Sequence, residues 1–209
     1  MHNRGVRRRP VQQRSIERVE RILDACAQLL DESGFDALTT LDVARRAGVP
    51  SGTIYQFFDG KAGMMRELAL RNLDLLLVRL RGRAAAETGL TWPRAAEIVL
   101  EETVEMRRTV PGFTVVDFAD TRPGGQSFLP PGETGEGGDL LADRLYAFAV
   151  EEAGLPPLAD PHRVMRLAIQ ATAAALALAF AGSREADPAM VAQGRLLLRA
   201  YLGAVSGGR

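Results

Sequence analysis

Three features of the 209-residue sequence predict an all-helical fold. From Ser15 onward, apolar residues recur at steps of three and four, which is the spacing of one face of an α-helix. Residues typical of helix ends separate these segments, for example the Asp-Pro pairs at 160–161 and 187–188. Hydrophobic residues make up 46% of the chain, which is enough for a globular core rather than a disordered chain.

The first two predicted helices are defined by their caps. Ser15 is a suitable N-cap for a first helix, and Gly34 is a suitable C-cap. Thr39 and Asp42 then have the spacing of a capping box, which predicts a short second helix. This helix is expected to stop at Gly48, because glycine readily adopts the left-handed conformation of a helix end.

A third short helix is expected from about Pro50 to Phe58, since proline is well tolerated in a first turn. The fourth, from Lys61 to about Ala86, is apolar on nearly every side between Leu73 and Leu80. That pattern is typical of a helix buried among others, so we expect it to join two modules. A fifth helix is predicted from Thr91 to about Met106.

The segment 112–118 is open to two interpretations, a strand from its β-branched residues or a short helix from its surroundings. Residues 122–138 contain 6 Gly and 3 Pro in 17 positions, which predicts a mobile loop. Three further helices are expected over 139–152, 161–181 and 188–205.

Several classes of protein are disfavoured by composition. Cys26 is the only cysteine, so no disulfide framework is available, and with only His2 and His162 besides, we expect no metal site. We expect no cofactor either, and no enzyme, because no cluster of residues at catalytic spacing stands out. The longest uncharged run, 167–183, is too weakly apolar for a membrane span. With no signal-peptide pattern, a cytoplasmic protein is predicted.

The net charge is zero, but residues 1–66 carry 11 Arg or Lys against 8 Asp or Glu. Much of this surplus lies in the first 14 residues, which we interpret as a basic flexible tail. Such a tail is either a solvated terminus or an electrostatic contact for phosphates.

The two short helices Thr39–Ala47 and Pro50–Phe58, joined by the turn at Gly48, predict a helix-turn-helix unit. Its small core would consist of Val43, Ala44, Ala47, Val49, Ile54 and Phe58. Burial of these residues would leave an uncharged polar face exposed, formed by Ser51, Gly52, Thr53, Tyr55 and Gln56. Hydroxyl and amide groups suit contacts with phosphates and base edges, although such units also serve as protein-binding or purely structural elements.

The first helix followed by "GFDALTTLDVARRAGVPSGTIYQFFDGKAGMM" resembles the DNA-binding domain of the TetR family of bacterial transcriptional regulators over about residues 15–66. The resemblance implies a DNA-binding domain over 15–62 and an effector-binding and dimerisation domain over 63–209. It also implies a homodimer on a palindromic operator, formed through the helices 161–181 and 188–205. The dipeptide at 50–51 departs from the family's usual Ser-Lys, which removes one backbone contact.

Candidate site residues follow from the resemblance. It places Thr39 and Thr40 at the DNA backbone, Lys61 on a phosphate, and on the recognition helix Ser51, Gly52, Thr53, Tyr55 and Gln56. In the larger domain, Met and aromatic residues suit a cavity for an apolar small molecule, although each is equally an ordinary core residue. These candidates are Trp92, Met106, Phe113, Phe118, Phe148, Met165 and Ile169.

The sequence therefore predicts a DNA-binding transcriptional regulator, interpreted as a repressor released from its operator by a small apolar effector. The alternatives are an activator, or a helical regulator that acts through a protein partner and reads little DNA sequence.

Overall fold

The computed structural model describes residues 9–114, 128–129, 140–183 and 185–207. Within these ranges the chain is helical, with no β-strand, as predicted. The eight α-helices of the described residues are α1 (Arg9–Ala37), α2 (Thr40–Ala47), α3 (Ser51–Phe57), α4 (Gly60–Ala85), α5 (Trp92–Thr109), α6 (Leu140–Ala147), α7 (Pro161–Ala179) and α8 (Pro188–Ser206). A short π-helical turn, Phe148–Glu152, continues α6.

The start of α1 differs from the prediction. The helix begins at Arg9, so residues 9–14 are helical and Ser15 lies inside the helix rather than at its N-cap. Pro10 falls in the first turn, where the missing N–H breaks no helical hydrogen bond, and nothing between it and Ser15 opposes a helix. Gly34 interrupts the helix with φ 77° and ψ 177°, which is an extended backbone available mainly to glycine. Residues 1–8 of the predicted tail lie outside the described residues.

The chain divides into two compact units. The described part of the first unit comprises residues 9–68 together with 111–114. The second comprises residues 69–110 and the described residues after 116. Because α4 begins in the first unit and continues into the second, this boundary lies inside the helix, a few residues after the boundary predicted at 62–63.

In the first unit, α2 and α3 form the predicted helix-turn-helix. The Thr39 side chain caps α2 by accepting a 3.1 Å hydrogen bond from the Asp42 N–H. Gly48 closes the helix in the left-handed conformation, with φ 65°. Four residues of the expected small core are buried, while Ala47 and Val49 are partly exposed; the buried ones are Val43, Ala44, Ile54 and Phe58.

Residues 111–114 return to the first unit after α5. The Gly112 N–H donates a 2.9 Å hydrogen bond to Asp31 Oδ1 on α1. Gly112 has φ 73°, and a Cβ atom there would lie 3.0 Å from the Ala27 backbone, so only glycine fits this approach. The following Phe113 is completely buried. Residues 112–114 form a turn. Residues 115–118 and most of the predicted loop 122–138 lie outside the described residues.

The second unit is built on α5, α7 and α8, which pack against one another. Asp160 and Asp187 cap α7 and α8, with proline in each first turn, as predicted. The axes of α7 and α8 approach closely at Gly194, where a Cβ atom would lie 2.7 Å from the Cβ of Ala175. No helix of the described residues is long and apolar enough to cross a membrane.

Candidate DNA-reading surface and ligand cavity

The exposed face of α3 carries four of its five predicted polar residues: Ser51, Gly52, Tyr55 and Gln56. Tyr55 is 64% exposed, which is unusual for so large a side chain. Thr53 differs from the prediction, because it is only 8% exposed. It precedes the buried Ile54 by one residue, and the core-facing arc of this short helix is wide enough to include both positions.

A hydrogen bond connects the two helices of the helix-turn-helix. The hydroxyl groups of Thr40 on α2 and Tyr55 on α3 lie 3.1 Å apart. This contact holds the Tyr55 ring on the outer face and brings two of the predicted DNA-contacting residues together. Thr39 is exposed and also caps α2, with its hydroxyl bonded to the Asp42 carboxylate.

Lys61 lies near the start of α4 and is partly exposed. Its ammonium group donates to the backbone carbonyl of Phe35 and lies 3.9 Å from the centre of the Phe35 ring. These two contacts place the only lysine of the chain between α4 and the end of α1.

The Arg46 guanidinium fixes α2 to α1 by a bidentate ion pair with Glu32, at 2.7 and 2.8 Å. Hydrogen bonding and the positive charge of Arg46 lower the pKa of Glu32 against a smaller opposing effect of desolvation. The next residue back, Arg45, is 72% exposed at its side chain and makes a 3.2 Å ion pair with Asp42. Arg45 is therefore an exposed cation of the first unit, and it is not among the site residues predicted from the sequence.

In the second unit, residues of α4, α5, α6, α7 and α8 line a pocket that we call the apolar chamber. Its volume is about 60 Å³. Its described lining is aliphatic and aromatic apart from Thr172, and it includes Leu80, Trp92, Phe148, Met165, Ile169 and Leu202. The lining carries no charge, so the chamber suits an apolar group.

Trp92 is held rigidly on the wall of the apolar chamber. Its indole N–H donates a 2.8 Å hydrogen bond to the Pro156 carbonyl, and its ring stacks on Tyr146 at 5.9 Å between ring centres. With the indole N–H already engaged, the ring presents only its apolar surface to the chamber.

Four of the seven predicted ligand-contacting residues line the apolar chamber, namely Trp92, Phe148, Met165 and Ile169. Met106 is fully buried but does not line this chamber. Phe113 is placed differently from the prediction: it belongs to the first unit, because the Gly112 turn anchors that segment to α1. Phe118 lies outside the described residues.

The chamber also includes residues that sequence reasoning missed, among them Leu80 and Ala84 of α4 and Leu145 of α6. Aliphatic residues at helical spacing look the same in sequence whether they line a cavity or fill a core. Of the lining residues, only the aromatic and Met residues could be predicted from the sequence, because their size and shape are typical of ligand sites.

The π-helical turn Phe148–Glu152 forms part of the wall through Phe148. Such turns occur frequently at functional sites. Its last residue, Glu152, is tied to α4 by a bidentate ion pair with Arg81, at 2.6 and 2.9 Å. Hydrogen bonding to Arg81 lowers the pKa of Glu152.

A buried ion-pair network lies on the other side of α5. Glu97 is only 4% exposed and accepts hydrogen bonds from Arg199 of α8, at 2.7 Å, and from Arg94, at 3.3 Å. One turn later, Glu101 pairs with Arg83 of α4 at 2.6 Å. Burial raises the pKa of Glu101, but the hydrogen bond from Arg83 and the charge of Arg94 outweigh it, so the pKa is lowered.

The outer faces of α7 and α8 expose leucine residues. Leu167 and Leu178 of α7 are 55% and 59% exposed, and Leu196 and Leu197 of α8 are 60% and 53% exposed. The same helices also expose small residues, for example Ala174 and Ala200. Several exposed leucines on two neighbouring helices are typical of a surface that another protein covers.

Comparison with known proteins gives a consistent picture of both units. Residues 22–68 match the family model described as "Bacterial regulatory proteins, tetR family". Residues 90–205 match the model "Tetracyclin repressor-like, C-terminal domain". The crystal structure of a TetR-family transcriptional regulator from Streptomyces coelicolor is similar to this chain, with 38% identity and a TM-score of 0.76. The match covers 90% of this chain and 99% of that one.

Two curated relatives match over shorter stretches. The uncharacterized HTH-type transcriptional regulator YvdT of Bacillus subtilis (strain 168) is 29% identical over 40% of this chain and 42% of its own length. The HTH-type transcriptional repressor KstR2 of Rhodococcus jostii (strain RHA1) is 40% identical over 29% of each protein. The chain thus spans less than half the length of these two relatives.

The matched proteins are transcriptional regulators, not enzymes, and members of this family bind DNA and small-molecule effectors, typically as dimers. Taken with the helix-turn-helix of the first unit and the cavity of the second, the two model matches show that this chain belongs to the TetR family of bacterial transcriptional regulators.

Proposed function

We propose that this protein is a cytoplasmic repressor that a small apolar effector releases from a palindromic operator. One observation carries the proposal: α4 is a continuous helix that starts in the unit with the DNA-reading surface and lines the apolar chamber with Leu80 and Ala84. A ligand that displaces the chamber wall therefore acts on a helix that is covalently part of both units.

The DNA-reading role is supported by the exposed face of α3. Tyr55 and Gln56 present a hydroxyl and an amide, which suit phosphate and base contacts. A glutamine bonded to both N6 and N7 of an adenine contributes about 1–3 kcal/mol of base discrimination. Thr40 positions Tyr55, and Arg45 supplies an exposed charge nearby in the chain.

Dimerisation through α7 and α8 is supported by their exposed apolar faces. Two copies related by a twofold axis would bring the same leucines together, as an isologous interface requires. A symmetric dimer presents two equivalent α3 helices, and these match a palindromic operator with two half-sites.

Release by the effector requires that the effector bind the DNA-incompetent conformation more tightly than the DNA-bound one. The apolar chamber is small, so an effector larger than this space would push on its walls, including α4. That physical coupling favours a ligand-released repressor over a regulator with a fixed DNA affinity.

The proposal is tested by selecting bound sequences from a random DNA pool and titrating the enriched sequence with three variants. Tyr55→Ala is expected to weaken binding strongly. Lys61→Ala is expected to reduce the slope of log K against log salt by about one unit, because one phosphate contact is lost. Arg163→Ala removes an equally positive, 90% exposed side chain from the other unit and is expected to leave the slope unchanged.

Lys61 also contacts Phe35, so a melting curve of each variant is recorded to separate a lost DNA contact from a lost fold. If no sequence is enriched, the repressor proposal is wrong, and a regulator acting through a protein partner is the better interpretation. If transcription from the operator rises when the protein binds, the protein is an activator.

A further inference from the structure

We infer that Leu41 of α2 reads thymine in the operator by packing against the C5-methyl group of that base, an inference that rests on the DNA-reading role proposed above. Leu41 is 55% exposed, whereas Val43 and Ala44 on the same helix are buried. The opposite face of α2 therefore already supplies the core of the helix-turn-helix, and the Leu41 side chain lies outside that core.

Leu41 lies beside the exposed face of α3. It directly follows Thr40, whose hydroxyl lies 3.1 Å from the Tyr55 hydroxyl of α3. Consecutive Cα atoms are only about 3.8 Å apart, so the Leu41 backbone lies close to the contact between the two helices. The major groove is about 12 Å wide, so a duplex that receives α3 in this groove also passes the start of α2.

The charges around Leu41 are compatible with DNA. Arg45 lies one turn later on the same side of α2, and its side chain is 72% exposed, which suits a contact with a phosphate. Asp42 is the one acidic residue between them. Its carboxylate is bonded to the Thr39 hydroxyl and paired with Arg45 at 3.2 Å. The negative charge nearest to Leu41 is therefore offset within the protein.

The chemistry of leucine limits what it can read in DNA. Its side chain forms no hydrogen bonds, so it cannot bond to the polar atoms of a base edge, and it is a poor partner for a charged phosphate. Thymine presents a C5-methyl group in the major groove, which apolar side chains contact. Packing of this methyl group against Leu41 would remove apolar surface of both partners from water.

The test uses the DNA sequence that selection from the random pool enriches. Each thymine is replaced in turn by deoxyuridine at the same position of both half-sites, which removes the methyl group and leaves base pairing unchanged. At one position we expect the replacement to weaken binding of the wild-type protein by about fourfold per methyl group, and so by about fifteenfold for two half-sites.

Leu41→Ala is expected to lose this sensitivity. The variant should bind thymine DNA at least about fifteenfold more weakly than the wild type does, and the same deoxyuridine replacement should change its affinity less than about twofold. Alanine is also the better helix former, so the melting temperature should not fall. A general defect in folding would weaken binding to both DNAs and leave their ratio unchanged.

Two further variants are matched controls. Leu41→Met keeps an apolar side chain of similar size and is expected to retain most of the thymine preference. Val78→Ala shortens a side chain that is 60% exposed on α4, within the second unit. It is expected to keep the full ratio of about fifteenfold.

Two results would overturn the inference while the repressor proposal stands. One is an enriched sequence in which no thymine methyl group affects binding. The other is a Leu41→Ala variant with the same ratio of thymine to deoxyuridine affinity as the wild type, which would mean that another residue reads the methyl group. If no sequence is enriched at all, the repressor proposal and this inference are both wrong.

Discussion

Glu97 is a charged residue buried within the second unit. Its carboxylate is almost completely buried and is held by Arg199 and Arg94. Removal of the carboxylate breaks its charged hydrogen bonds, but Arg199 is 63% exposed and is hydrated instead, and Arg94 keeps its pairs with Glu87 and Glu101.

We therefore expect Glu97→Ala to lower the free energy of unfolding by about 2 kcal/mol, measured by urea denaturation. The matched control is Glu105→Ala on the same helix, where the carboxylate is 50% exposed and lies 3.9 Å from Arg108. That change is expected to stay within about 0.5 kcal/mol. Similar losses in the two variants would contradict a special role for the buried carboxylate.

The pair between Glu32 and Arg46 predicts a pH dependence of the first unit. The pKa of Glu32 in the folded protein is lowered from 4.5, chiefly by the hydrogen bond from Arg46. The stabilisation is therefore fully present above the unfolded pKa and is lost as the pH falls through the folded pKa. In denaturation curves, Arg46→Ala should be less stable than wild type at neutral pH, and the difference should shrink below pH 4.5. A difference that is constant down to low pH would exclude this pair as its cause.

At the scale of whole helices, α7 and α8 approach each other closely at Gly194. Gly194 has no room for a side chain, since an added Cβ would lie 2.7 Å from the Ala175 Cβ. We expect Gly194→Ala to destabilise the protein by about 1–3 kcal/mol, because the two helices must move apart.

The control for this prediction is Gly82→Ala on α4, where an added Cβ meets no atom within 4 Å. Alanine is the better helix former, so this variant should be stabilised by roughly 0.5–1 kcal/mol. Thermal melting of the two variants distinguishes packing from helix propensity. A Gly194→Ala variant that is more stable than wild type would show that α7 and α8 leave room for a methyl group at this position.

For the molecule as a whole, the exposed leucines of α7 and α8 predict its assembly. Leu196→Glu would place a charge within the proposed dimer interface, where desolvation without a partner is costly. We expect this variant to sediment as a monomer at micromolar concentration and to lose most of its affinity for a palindrome, while a single half-site is bound as before.

Val78→Glu is the matched control for assembly. Val78 is 60% exposed, as exposed as Leu196, but it lies on α4 rather than on α7 or α8. This variant is expected to remain dimeric in sedimentation. A monomeric Val78→Glu together with a dimeric Leu196→Glu would place the interface on a different face.

Local signals in the sequence were enough to determine the helical class, the helix-turn-helix and most caps. Thr39, Gly48, Asp160 and Asp187 all cap helices as expected, because a cap depends on the backbone within a few residues. The resemblance of the first 66 residues to the TetR family was likewise detectable from local motifs, and the model matches confirm it.

Only the tertiary structure decided which side chains meet. Thr53 is buried and Phe113 belongs to the first unit, since burial depends on neighbours distant in sequence, such as Asp31 for the Gly112 turn. The apolar chamber shows the same limit: Trp92 was detectable from the sequence by its size, but Leu80 and Ala84 were not. Helical spacing reports that a residue faces inward, whereas only the packing of several helices decides whether it meets another side chain or an empty chamber.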